Sequence, residues 1–496
     1  MAQIPHPALC AVVAAPTLAQ LRARRDEAAL EADLVELRLD TVADPDVAGA
    51  LQGRTGPVIV TCRAVWEGGH FAGTEPARLA LLEQAWRAGA DFVDIEFAAW
   101  KDAPWARQAG GQRLIVSSHD FIGVPADLAA RYQAMSGTGA AVVKLAVTAR
   151  ALTDCVALLA LRPSAPQRHV VLAMGAAGLV TRLLPQRFGS AWTYAGDGVA
   201  PGQLPPRQLR EEFRFGEVGP DAALYGLVAN PVGHSVSPAM HNAAHRADNR
   251  DAVYLPLQAV DAADVLAFAE AFDVRGVSVT LPFKVDLLPH CEPDALAARV
   301  GAVNTLVRSD GRWLGFNTDV PGLLAPLGER LDVAGLRATI LGAGGAARGA
   351  AIALASAGAR VTVCARRAEA AATVAAETGA LAAPMPPLPG SWDVLVNATS
   401  AGMHPRVDET PWPGAVFDGR LVYDLVYNPR DTRLLREARG AGCATLDGLA
   451  MLVAQAEQQF ERWTGRRPVP GVMLEAAVSR LRGFAAPSLD SIPLPS

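Results

Sequence analysis

A chain of 496 residues with a net charge of −5 is too long for one ordinary core and too acidic to favour nucleic acid or an anionic membrane surface. A hydrophobic fraction of 51% against 19% charged excludes intrinsic disorder, and no apolar run reaches the roughly 18 residues that span a bilayer. The six cysteines (Cys10, Cys62, Cys155, Cys291, Cys364 and Cys443) are scattered without a Cys-x-x-Cys pair, so they read as reduced core thiols in a cytoplasmic protein with no metal site.

The N-terminal stretch MAQIPHPALCAVVAAPTLAQ has no basic segment ahead of its apolar one, so a signal or transit peptide is not expected. From residue 9 to about 196, short apolar segments alternate with Ala/Leu/Arg-rich spacers of helical period. The apolar segments are 9–15, 34–40, 57–63, 91–97, 113–120, 141–147, 169–175 and 191–196; each is too short for a helix and rich in β-branched residues. Eight strand–helix units in about 200 residues fit a (β/α)8 barrel, with a doubly wound open sheet as the alternative. The polar residues choose between them. Glu36, Arg38, Arg63, Glu96, His119 and Lys144 lie within, or at the C-terminal end of, five of these strands. One such residue could be a buried structural pair. Six at one end are hard to bury separately, because each unpaired ion costs several kcal/mol. In a barrel that end carries the active site, so the six read as one pocket.

Residues 205–224 read as a closing helix and a short Gly/Pro linker, after which a new α/β pattern begins at LYGLVANPVGHSVSPAMHNAA. Within 336–367 a strand ends at Leu341, a turn with Gly342, Gly344 and Gly345 follows, then a helix, then a second strand ending near Cys364. Glycines between strand and helix let the backbone approach a pyrophosphate at the helix N-terminus, which makes this a dinucleotide fingerprint; a tight turn without a ligand is the plainer reading. The tip of the second strand carries Arg366 and Arg367 in place of the usual acidic residue, so the 2′-phosphate of NADP is the expected partner. The Pro-rich residues 486–496 read as a disordered tail.

Lysine is scarce: of 45 Lys plus Arg, only Lys101, Lys144 and Lys284 are lysines. Lys101 sits in a polar turn, but Lys144 interrupts the apolar AVVKLAV. Arginine stays charged at any useful pH, whereas a lysine that is desolvated or beside other cations can present a free amine and form a Schiff base with a ketone. Arg38 and Arg63 are expected to share the Lys144 pocket. His119, one strand earlier, is then a base for the proton on the carbon next to the imine, with Glu96 orienting the imidazole. A snorkelling or ion-paired lysine is the structural alternative. In the second half, SVTLPFK places Lys284 just after a strand and GFNTD brings Asp319, a pair able to hold a hydroxyl and relay a proton during hydride transfer.

The motifs ADLVELRLD, VTCRAVWEGGHF, VSSHDF, VVKLAV, LVTRLLPQRFGSAWTY and APGQLP resemble, in order and spacing, type I 3-dehydroquinate dehydratase over about residues 9–215. The resemblance implies that Lys144 forms the imine, that His119 removes the C2 proton and assists loss of water, and that Glu96 orients His119. It further implies that Glu36, Arg38, Arg63, Arg182 and Gln203 line the substrate, with Arg182 on its carboxylate. Val199 stands where that family usually has a serine, so the family's hydroxyl contact from the closing loop is not expected. The motifs ANPVGHSVSPAMHNAA, GVSVTLPFK, GAVNTLV, GFNTD, GAGGAAR, VNATSAGM, YDLVYNP and DGLAMLVAQAEQQFERWTG resemble shikimate dehydrogenase from about 222 to 485. This second resemblance implies catalysis by Lys284 and Asp319, and substrate binding by Ser235, Ser237, Thr280, Asn304, Tyr427 and Gln455. It assigns NADP contacts to Gly342, Ala343, Gly344, Gly345, Ala346, Arg366, Leu425 and Gly448, and leaves His234 and His241 to orient their loop.

The expected fold class is α/β: a TIM barrel followed by a two-lobed dehydrogenase with a Rossmann NADP-binding domain. The expected boundaries are 1–215 for the barrel, 216–224 for a linker, 225–325 for the substrate-binding domain, 326–445 for the Rossmann domain and 446–485 for returning C-terminal helices. The expected activity is dehydration of 3-dehydroquinate, then NADPH-dependent reduction of 3-dehydroshikimate to shikimate, two steps toward aromatic amino acids. Expected partners are these small molecules, with no nucleic acid or membrane. The rivals are a class I aldolase for the barrel, a quinate dehydrogenase for the second half, and a catalytically dead sensor; the last has no use for an imine lysine.

Overall fold

A computed structural model describes residues 5–161, 163, 167–196, 202–233 and 235–485, so Val199, His234 and the 486–496 tail lie outside the described residues. The chain divides into two compact units, residues 1–234 with 251–274, and residues 235–250 with 275–496.

In the first unit, eight parallel strands form one sheet: β1 (Ala8–Val13), β2 (Leu34–Arg38), β3 (Val58–Thr61), β4 (Phe92–Glu96), β5 (Leu114–Asp120), β6 (Val142–Thr148), β7 (Arg168–Met174) and β8 (Trp192–Ala195). Each pairs with its sequence neighbour from β1 to β7, and β8 returns to β1 with Cys10 opposite Tyr194. The eight-stranded barrel is nearly closed rather than fully laddered. At the β7–β8 seam a single bridge joins His169 and Ser190; the Ala191 N–H donates to the His169 carbonyl at 2.8 Å, and the Val171 N–H to Ser190 Oγ at 3.1 Å. A serine side chain thus accepts a bond that a ladder carbonyl would otherwise take.

Side chains two residues apart on a strand share a face, and this period organises the barrel interior into layers. The lowest layer is apolar and takes one residue from each strand: Ala8, Leu34, Ile59, Phe92, Ile115, Val142, Val170 and Trp192, all buried in one cluster. Two residues further along come Cys10, Glu36, Thr61, Asp94, Ser117, Lys144, Leu172 and Tyr194, also buried. Two further again come Arg38, Arg63, Glu96 and His119. An apolar floor therefore supports a charged layer, which supports the rim at the C-terminal ends of the strands. The same unit holds the parallel pair β9 (Ala223–Ala229) and β10 (Ala252–Gln258).

In the second unit, β11 (Val274–Val279), β13 (Thr305–Ser309) and β14 (Arg312–Phe316) run antiparallel, with the two-residue β12 (Glu292–Pro293) beside β14. A separate parallel sheet follows: β15 (Arg337–Leu341), β16 (Arg360–Cys364), β17 (Leu381–Ala383), β18 (Val394–Asn397), β19 (Leu421–Asp424) and β20 (Ala444–Leu446), in the order β17-β16-β15-β18-β19-β20. This is the doubly wound Rossmann order, with the reversal beside β15. Helix Gly448–Thr464, capped by the Asp447 side chain on the Leu449 N–H, packs on helix Asp319–Gly328. Among the described residues no helix is long and apolar enough to cross a membrane.

Two candidate active sites

Lys144 lies in the charged layer, 5% exposed, with its ammonium nitrogen 3.1 Å from Asp94 Oδ2 and 3.4 Å from Glu36 Oε2. The same nitrogen stands 4.4 Å from the centre of the Tyr194 ring. Arg63 reaches the layer from the end of β3: Nη2 meets Asp94 Oδ2 at 3.0 Å, and Nη1 meets Glu96 Oε1 at 3.1 Å and Ser117 Oγ at 2.8 Å. Arg38 turns instead to Asp40, forming a two-pronged pair at 2.9 and 2.7 Å. Of the two arginines expected to share the Lys144 pocket, Arg63 does so, meeting the same Asp94 Oδ2 as Lys144, whereas Arg38 is drawn off to Asp40. Each arginine is matched by a carboxylate, and what meets Lys144 directly is negative charge and a ring face.

A second correction concerns Glu96. Its Oε1 accepts from Arg63 and from the Ala64 N–H at 3.0 Å, and its Oε2 accepts from Arg78 at 2.7 Å. Both oxygens are committed to cations and backbone, so Glu96 holds Arg63 and the start of its loop rather than His119. The partner of His119 is Glu67, whose Oε2 lies 2.8 Å from Nδ1. Glu67 arrives on the loop after β3 and is 9% exposed. Burial pushes its carboxyl up to about 8 despite Arg63 nearby. Burial, then the Arg63 and Lys144 cations, push His119 well below its ordinary value. The two titrate as a coupled pair joined through Nδ1.

Arg182, on helix Leu179–Leu183 after β7, is buried, and the loss of hydration pushes it down to about 10. Gln203 sits against Gly196, just beyond β8. Asp94, Glu67 and Tyr194 went unnamed among the sequence candidates. The period of two could have found the first: Asp94 precedes Glu96 by two, so both face inward on one strand. Glu67 had a weaker signal, four residues after Arg63 on a loop.

In the second unit, Lys284 Nζ meets Asp319 Oδ2 at 2.6 Å, and Asp319 Oδ1 accepts from Asn304 Nδ2 at 2.9 Å. Asn304 also accepts from the Thr318 N–H at 2.7 Å and lies 3.5 Å from Gln455 Oε1. Gln459, one helical turn after Gln455, donates to the Asn304 carbonyl at 3.2 Å and accepts from Ser278 Oγ at 2.8 Å. Lys284, Asp319, Asn304 and Gln455 thus form one bonded cluster, the last three fixed by buried polar neighbours. The Ser237 N–H donates to Ser235 Oγ at 3.1 Å at the start of helix Ser237–Ala247; among the described residues no hydrogen bond joins either serine, Thr280 or Tyr427 to the cluster. His241 on that helix is buried, which lowers it to about 3, and it packs 5.1 Å from Trp463. A hydrogen bond with Gln459 partly offsets that loss of hydration.

The turn after β15 fits a dinucleotide. Gly342 has φ 115°, and a Cβ there would meet Thr399 and the Ala398 carbonyl at 3.0–3.1 Å. Helix Gly345–Ser356 begins without a side-chain cap, so the N–H groups of its first turn, Gly345 and Ala346 among them, face the loop of Ala343 and Gly344. Arg366 and Arg367 are exposed just past β16. Gly448 is buried, and only glycine fits there, because a Cβ would come 2.2 Å from the Leu425 carbonyl oxygen. That contact presses the end of β19 against the helix N-terminus. Cradle, anion-seeking helix end and basic strand tip together suit NADP. Among the described residues no group of three or more His, Cys, Asp or Glu side chains is placed to hold a metal.

A barrel with a lysine in its charged layer, followed by a Rossmann dehydrogenase, defines an enzyme with a lyase site and an oxidoreductase site. Residues 9–219 match the type I 3-dehydroquinase family, 227–306 the shikimate dehydrogenase substrate binding domain, and 448–478 the shikimate 5′-dehydrogenase C-terminal domain. The chain is 35% identical to the chloroplastic bifunctional 3-dehydroquinate dehydratase/shikimate dehydrogenase of Arabidopsis thaliana, over 92% of this chain and 82% of that one. It is 44% identical to the shikimate dehydrogenase (NADP(+)) of Moorella thermoacetica, over 52% of this chain and 93% of that one. A crystallised shikimate dehydrogenase in complex with NADP+ superposes with a TM-score of 0.50 at 32% identity, covering 53% of this chain and 97% of the other. The chain belongs to the bifunctional 3-dehydroquinate dehydratase/shikimate dehydrogenase family.

Proposed function

We propose that the barrel dehydrates 3-dehydroquinate to 3-dehydroshikimate through an imine at Lys144, and that the second half reduces this product to shikimate with NADP as cofactor. The observation that carries the barrel reading is a buried lysine amine in the charged layer, with a His119–Glu67 pair at the rim above it on the adjacent strand and loop. Lys144 Nζ adds to the C3 ketone and water leaves, giving an iminium that draws electrons from C2. His119 Nε2 takes the C2 proton, and the resulting imidazolium returns a proton to the departing C1 hydroxyl; water then hydrolyses the product iminium, restoring the C3 ketone and the Lys144 amine. Glu67 holds Nδ1 throughout and balances the imidazolium. Arg182, short of hydration, is suited to the substrate carboxylate.

In the second site, NADPH supplies the hydride when bound. Lys284 holds the substrate oxygen and delivers a proton to it, with Asp319 fixing the lysine and Asn304 fixing Asp319. Ser235, Ser237, Thr280, Tyr427 and Gln455 complete the substrate contacts in this reading, and Arg366 takes the 2′-phosphate. The divisions follow 1–215, 216–224, 225–325, 326–445 and 446–485. The free thiols, nearly all buried, support a cytoplasmic setting.

Borohydride reduction in the presence of 3-dehydroquinate, with peptide mapping, tests the barrel reading. The adduct is expected on Lys144; an adduct elsewhere, or none, overturns it. Lys144→Arg abolishes dehydration and leaves NADPH oxidation by 3-dehydroshikimate intact; loss of both would refute independent sites.

A further inference from the structure

The imine reading assigns Lys144, His119 and Glu67 but leaves two buried groups against the reacting nitrogen unused. Asp94 is fully buried and turns its Oδ2 to Lys144. It cannot rotate away, because Ser117 Oγ donates to its Oδ1 at 2.5 Å and Arg63 pins Oδ2 at 3.0 Å. The Tyr194 ring covers another side of the same nitrogen at 4.4 Å. Resting on the Lys144 imine, we infer that Asp94 and the face of Tyr194 form a fixed cage for the iminium nitrogen, setting the plane of the imine so that the C2–H bond faces His119.

The lysine nitrogen begins with three protons. Two leave with the ketone oxygen as water, and one remains on the planar iminium. That single N–H is the only polar handle on the plane, and Asp94 is the nearest acceptor to receive it. A C–H bond breaks fastest when it stands perpendicular to that plane, so a misaligned N–H costs rate at proton abstraction. Burial pushes the Asp94 carboxyl upward, but Arg63 and Lys144 outweigh it and hold it well below the usual carboxylate range. It therefore stays an anion as the nitrogen passes from ammonium to iminium, and acts as counter-ion rather than as a base. The ring face of Tyr194 favours both cationic forms over the neutral amine. Glu36, at 3.4 Å, is the remaining carboxylate on the nitrogen and is free to take the proton that starts the attack.

The test uses the full-length chain. Asp94→Asn keeps the shape and loses the charge. It is expected to trap on Lys144 with borohydride as wild type does, while dehydration kcat falls about 100-fold and the isotope effect with C2-deuterated substrate rises. Ser117→Ala, which removes the donor to Asp94 Oδ1 and leaves both carboxylate partners of Lys144 in place, gives a smaller fall with the same isotope signature and stays informative if the Asn variant does not fold. Tyr194→Leu, which removes the ring face, is expected to lose about tenfold more kcat than Tyr194→Phe, which keeps it. Normal kcat in both the Asp94 and Ser117 variants, or equal losses in the Phe and Leu variants, overturns the cage. Absence of the adduct in wild type would instead remove the imine itself, a separate failure visible in the same experiment.

Discussion

Glu67→Gln isolates the acid–base pair of the barrel. In the native chain Glu67 and His119 are 2.8 Å apart, and the pair retains its extra proton up to about 8. While that proton is present, Nε2 is protonated and cannot accept from C2. The base form is therefore the deprotonated pair, and kcat/KM for dehydration should rise with pH and level off above about 8. At pH 7 only about one pair in ten is in the base form, since one pH unit is a factor of ten. Glutamine preserves an oxygen for the Nδ1–H but removes the charge that supports the imidazolium. His119 alone is pushed well below its ordinary value by burial and then by Arg63 and Lys144, so the rising limb should move below neutrality and the profile flatten from pH 7 to 9. The plateau should fall, because a hydrogen bond to a charged group contributes about 1.5–3 kcal/mol, or about 10–100-fold in rate. The assay is initial-rate formation of the conjugated enone by absorbance from pH 6 to 9.5. A variant whose limb stays at its wild-type position would refute the pairing as the origin of the pH dependence.

Other outcomes follow from the second unit. Asp424 is fully buried, accepting from Asn397 Nδ2, Thr432 Oγ1 and the Val426 N–H, and burial pushes it up to about 6. A carboxyl raised on folding stabilises the fold at low pH and loses that contribution as pH rises through about 6, some 3 kcal/mol in all. Asp424→Asn should remove this dependence and raise the dehydrogenase melting temperature at pH 7.5 more than at pH 4.5; equal shifts would count against it. Gly448→Ala drives a Cβ to 2.2 Å from the Leu425 carbonyl oxygen. The helix carrying Gln455 must move, so NADPH KM should rise and stability fall by about 1–3 kcal/mol, with dehydration unchanged. Arg366→Ala should raise KM for NADPH about tenfold or more while leaving NADH nearly unaffected, since only the former carries the 2′-phosphate; an equal effect on both would remove Arg366 from that role.

The sequence by itself determined the architecture, because architecture rests on local periodicity. The eight short apolar segments of the first half and the Leu341–Gly342–Gly344–Gly345 turn of the second each announce an element within their own few residues. The lone Lys144 in AVVKLAV is legible for the same reason, as a charge in an apolar strand demands a use. Position within or at the C-terminal ends of the strands also gathered Glu36, Arg38, Glu96 and His119 into one pocket. What only the tertiary structure decided is which carboxylate meets which cation. Glu96 lies on the strand beside His119, yet Arg63 and Arg78 occupy it, and Glu67 reaches the imidazole from a loop. Arg38 is diverted to Asp40, and Asp94 takes the place beside Lys144. The reason is range. A strand's face is set by its own period of two, but ion pairing is a choice among several buried charges of each sign brought together from five strands and their loops. Over a few ångströms in a low-dielectric interior, small differences in reach decide that choice.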